Sequence, residues 1–128
     1  MSHRLTGRGI SKQAYGILAK VREVDRFITR ELQDRLVEAH PELSLAALTG
    51  APMAHPKRTP GGRAERLAAL AGPFPDIGEH TAHRLQGAPD DVLDAYALLW
   101  TARRWVRDEA IVLGGGRDEH GLRMEIVS

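Results

Sequence analysis

The sequence contains no cysteine. A disulfide framework and a thiolate metal site are therefore excluded, and the composition fits a reducing compartment, with the cytoplasm as the expected location. No stretch approaches the roughly 18 uninterrupted apolar residues that a membrane span needs. Met1 to Gly9 is basic but has no apolar core of a signal peptide, so neither secretion nor membrane insertion is expected. Aromatic residues make up only 5% of the chain, and Tyr96, Trp100 and Trp105 read as packing residues rather than base-stacking platforms. No Walker or dinucleotide pattern occurs. His55, His80, His83 and His120 lack zinc-type spacing, so they receive no ligand role.

What is present is ordinary for one folded domain: 128 residues, 42% hydrophobic and 27% charged, with no internal period. A single domain over 1–128 is the working expectation. The charge is uneven although its net value is only +1. Residues 1–70 carry 12 bases and 7 acids, and residues 71–128 carry 6 bases and 10 acids. That asymmetry suits a basic surface for a polyanion beside an acidic pocket for cations, and solvated helix faces produce the same counts.

From Ser11, a candidate N-cap, Ile17, Val21, Val24, Ile28 and Leu32 recur at helical spacing, which predicts a helix over 12–33. Leu36 to His40 is short and stopped by Pro41, and reads as a strand. Pro41 opens a short helix ended by Gly50. Ala51 to Gly62 reads as a loop, Arg63 to Ala71 as a helix, and Ile77 to Leu85 as another. A longer helix from Asp90 to about Val106 is expected to turn Val92, Ala95, Leu99 and Ala102 to the core. Ile111 to Leu113 and Leu122 to Val127 read as a terminal strand pair.

Two acidic clusters stand out. In Glu38-Ala39-His40-Pro41-Glu42, a strand end and a helix start would converge two carboxylates and an imidazole, where a hard cation could sit. A solvent-facing strand with Glu42 favoured at a helix N-terminus explains the same residues. In Asp90-Asp91-Val92-Leu93-Asp94, Asp91 and Asp94 are three apart on one helix face, and their repulsion calls for a cation or a proton. Capping by Asp90 and macrodipole complementation by Asp91 and Asp94 are the other account. Lys57, Arg58, Arg63 and Arg66 border Gly61-Gly62 ahead of a helix, and either hold a phosphate or form a solvated basic loop.

In order, Gly9-Ile10-Ser11-Lys12-Gln13, Lys20, Glu23-Val24-Asp25, Glu38 to Glu42, Lys57, Gly62, Arg66, Asp90 to Ala95, Trp100-Thr101-Ala102, Gly121 and Met124-Glu125-Ile126 resemble an uncharacterised bacterial family of predicted nucleases with a ribonuclease H-like fold. The resemblance implies an α/β fold with acids at strand ends and on a C-terminal helix, binding Mg²⁺ or Mn²⁺ for phosphodiester cleavage of nucleic acid. It implies Glu38, Asp91 and Asp94 as metal ligands, with His40 and Glu42 completing the catalytic set and Lys57 contacting phosphate; the basic-loop reading adds Arg63 as a second phosphate contact. The family has opening strands with an acidic residue that this chain does not show, so a helix-rich C-terminal portion of that fold is expected. The competing expectation is a non-catalytic module that oligomerises or binds a partner through an exposed strand edge.

Overall fold

The structure is a computed structural model that describes residues 11–82 and 89–128. Residues 1–10, and His83 to Leu85 of the expected fourth helix, lie outside the described residues. The chain divides into two compact units, Met1–Leu36 and Val37–Ser128.

The first unit carries helix α1, Lys12–Phe27, capped by the Ser11 hydroxyl, which accepts from the Ala14 amide. The expected helix to Gln33 is too long. Ile28 is already extended, and the Thr29 hydroxyl accepts from the Leu32 amide at 3.2 Å, nucleating a separate 3₁₀ turn over Leu32–Asp34. A β-branched residue whose hydroxyl bonds the chain ahead of it starts a new turn instead of continuing the old one.

The second unit builds α2 (Pro41–Thr49), α3 (Pro60–Ala71), α4 (Ile77–Ala82), α5 (Pro89–Val106), β1 (Val112–Arg117) and β2 (Arg123–Val127). Gly50 ends α2 in the left-handed conformation at φ 80°, as its position after the apolar run implied. Helix α3 starts three residues before the expected Arg63. Thr59 accepts from the Gly62 amide and Pro60 occupies the first turn, a cap-and-proline signal that the following glycine pair had obscured.

Leu45, Leu70, Phe74, Ile77, Leu93 and Ala97 form the core, drawn from α2, α3, the turn before α4, α4 and α5. Phe74 meets Tyr96 edge to face at 5.1 Å. The buried face of α5 corrects the expected one: Leu93, Ala97 and Thr101 are buried, whereas Ala95 and Ala102 are exposed and Leu99 is 43% exposed. The phase differs because a hydroxyl sits on the buried stripe. Thr101 donates to Ser44 across the core at 2.7 Å, and Ser44 in turn donates to the His40 carbonyl, so the polar atoms are satisfied inside.

Strands β1 and β2 pair antiparallel, Val112 opposite Val127 and Leu113 opposite Ile126, with a bulge between Gly114 and Arg117. The expected strand Leu36 to His40 contributes one parallel bridge, Ala39 to Val127, and the Val127 amide donates to the Glu38 carbonyl at 2.8 Å. It stops there because Pro41 commits the chain to α2.

Candidate functional site

Six of the sequence-predicted polar residues of the second unit form pairs of opposite charge: Glu42 with Arg66, Lys57 with Asp94, and Arg63 with Asp90. Arg66 is the most buried of them, at 4% exposure. Its side chain lies on the inward stripe of α3 with Gly62 and Leu70. A buried guanidinium is tolerated only when its donors are met. Arg66 Nε and Nη2 reach the Glu42 carboxylate of α2 at 2.8–3.2 Å, and Nη1 donates to the carbonyls of His55 and Gly62 at 3.0 and 2.9 Å. All five donors are used. The same contact explains Gly62, since a Cβ there would lie 2.0 Å from the Pro56 carbonyl oxygen and 3.2 Å from Arg66 Nη1.

Two further pairs meet at the start of α5. Lys57 Nζ lies 3.1 Å from Asp94 Oδ2, and Arg63 Nε lies 3.2 Å from Asp90 Oδ1. Both bases are more than two-fifths exposed and both acids about one-fifth exposed. Pairs this accessible contribute about 0–1 kcal/mol each. Asp91, the remaining carboxylate of that turn, is exposed and makes no ion pair among the described residues.

The first acidic cluster is spread out. Glu38 is exposed and engaged through its backbone carbonyl. His40 caps α2: its Nδ1 accepts from the Glu42 amide at 3.3 Å, which places the ring proton of the neutral form on Nε2. Glu42 faces Arg66 instead of sharing a site with His40. Among the described residues no group of three or more His, Asp or Glu side chains is drawn together as for a metal ion, the trio Glu38, Asp91 and Asp94 included.

Glu65 is a residue the sequence reading passed over. Its carboxylate accepts from the amides of Ala54 and His55 at 2.7 and 3.0 Å and lies 3.3 Å from His55 Nδ1. These contacts, the Ala54 amide first, hold its carboxyl below the ordinary glutamate value of 4.5 and pin the loop that carries Lys57. A depressed folded-state pKa stabilises the fold above the unfolded value and loses that contribution as pH falls through the folded one. Thermal melts of wild type and Glu65→Gln should therefore differ at neutral pH and converge as pH drops below about 4.5. A gap that persists unchanged into acid would show that Glu65 acts through something other than its charge.

Among the described residues, five helices and a two-stranded antiparallel sheet make this a mixed α/β protein with a charged seam between α3 and α5. No helix of the described residues is long and apolar enough to cross a membrane. The chain belongs to the family described as protein of unknown function DUF429, whose model matches residues 1–119. No curated protein and no solved structure matches it.

Proposed function

We propose that this chain is a ribonuclease H-like domain of the nuclease type, whose seam at the start of α5 handles the phosphodiester backbone of nucleic acid with a divalent cation. The observation that carries the reading is the convergence of Lys57 and Arg63, the predicted phosphate contacts, on the Asp90 to Asp94 turn of α5, across 37 and 27 residues of chain.

Charge decides between a bare phosphate site and one that needs a cation. Three aspartates against one lysine and one arginine leave the seam net negative, which repels a phosphate. A divalent cation reverses that sign. The donor set is all carboxylate, the chemistry that hard cations such as Mg²⁺ and Mn²⁺ prefer, and it contains no soft ligand. Lys57 and Arg63 stand in for such a charge by neutralising Asp94 and Asp90. Because these exposed pairs are weak, their exchange would cost little, and it would leave the Lys57 ammonium and the Arg63 guanidinium available to a phosphate. Asp91 and Asp94 would hold the ion, which would supply Lewis-acid stabilisation of charge developing on the phosphodiester oxygens. Glu42 is committed to Arg66 and braces the seam from α2.

The test is calorimetric titration of Mg²⁺ and Mn²⁺ into the protein, with cleavage of single- and double-stranded oligonucleotides measured alongside. The reading expects divalent binding and cation-dependent cleavage, both lost in Asp91→Asn. If neither ion binds or raises the melting temperature, the reading fails.

A further inference from the structure

Unit Met1–Leu36 contributes none of the buried hydrophobic side chains of the described chain, all of which lie between Leu45 and Val127. Its helix α1 is nevertheless strongly amphipathic. Ile17, Val21 and Val24 are 52%, 51% and 55% exposed. A helix of 16 residues is marginal in water alone and draws most of its stability from covering an apolar face.

The spacing of that face is specific. Ala14, Ile17, Val21, Val24 and the capping residue Ile28 follow one another at alternating steps of three and four, the a and d positions of a heptad. Tyr15 and Phe27 are also exposed, at 73% and 61%, off this stripe, with Phe27 flanking it at a g position. Lys20 and Asp25 flank the seam on opposite sides, at the g and e positions. In a parallel, in-register pair of such helices, g of one chain faces e five residues later on the other. Lys20 of each copy would then meet Asp25 of its partner, twice by symmetry. The sequence of α1 is thus complementary in charge to itself in one orientation.

We infer that α1 is a self-association element, which pairs in parallel with α1 of a second copy of this chain. Two heptads make a short seam, so the association is concentration-dependent. It goes beyond the phosphodiester reading and does not rest on it. The sheet edge is a poorer route to the same end, because the bulge between Gly114 and Arg117 and the positive φ of Gly114, Gly115 and Gly116 interrupt the ladder of β1.

The test uses the full chain in sedimentation velocity over a hundredfold range of concentration. Wild type should shift from monomer to oligomer. Val21→Asp should weaken the shift by about tenfold or more, since it buries a charge in the seam. Lys20→Glu should also weaken it, and Lys20→Glu combined with Asp25→Lys should restore it. The native chain has no cysteine, so Val21→Cys gives a clean geometric readout: a parallel in-register pair brings the two sulfurs together and oxidation yields a covalent dimer. Wild type that stays monomeric throughout, or an oligomer that Val21→Asp leaves intact and Val21→Cys does not cross-link, overturns the inference.

Discussion

Gly62→Ala is expected to destabilise the second unit by about 3 kcal/mol or more, while Gly61→Ala next to it is expected to be neutral or slightly stabilising. Both glycines lie in the first turn of α3. At Gly61 an added Cβ meets only the His55 ring at 3.6 Å, an ordinary contact. At Gly62 it would lie 2.0 Å from the Pro56 carbonyl oxygen and 2.7 Å from the carbonyl carbon. Backbone cannot swing aside as a side chain does, so either the loop before α3 or the helix itself must move. Arg66 Nη1 donates to the Gly62 carbonyl, so the displacement also loosens the buried guanidinium. Urea denaturation of the two variants reads the contrast directly. Equal stabilities for the pair would show that the loop yields freely.

The second large effect is expected from Glu42→Ala. The Arg66 side chain, 4% exposed in the native fold, loses three of its five bonds in the variant. Removing one partner of a buried pair costs about 3–5 kcal/mol, and the lower end applies because the Glu42 side chain is 38% exposed. Glu42→Gln should cost less, since its amide oxygen keeps an acceptor toward Arg66 while the charge is lost. By contrast, Lys57→Ala should change stability by less than about 1 kcal/mol, because its pair with Asp94 is solvated. Denaturant midpoints in that order, Glu42→Ala lowest, separate the structural pair from the exchangeable ones. If Lys57→Ala proved as damaging as Glu42→Ala, its pair with Asp94 would be part of the scaffold and unable to open for a cation.

The two effects together divide the polar residues by role. Glu42 and Arg66, like Gly62 and the Ser44 to Thr101 bond, hold α2, α3 and α5 in place. Lys57, Arg63, Asp90, Asp91 and Asp94 lie at the solvent side of the same seam, where contacts are weak enough to be exchanged. The sequence pointed to both sets but could not separate them, because an acid facing a buried arginine and an acid facing water look alike in a string of residues.

Local chemistry alone determined much of the chain. Ser11 as a cap, the Pro41 start and Gly50 end of α2, the long α5 and the terminal strand pair follow from caps, prolines, glycines and periodicity, which act over a few residues. The end of α1 at Phe27 and the early start of α3 were also local, in Thr29 and in Thr59-Pro60, but stronger neighbouring patterns masked them. Only the tertiary structure decided which carboxylate meets which cation: Glu42 with Arg66 at a separation of 24 residues, Asp94 with Lys57 at 37, and Asp90 with Arg63 at 27. It also set the buried face of α5, where Thr101 became an inward residue because Ser44 stood opposite it. The physical reason is the same in both cases. A cap or a turn is satisfied by its own segment, whereas a charge or a hydroxyl is satisfied by whichever group the packing of distant helices brings within about 3 Å.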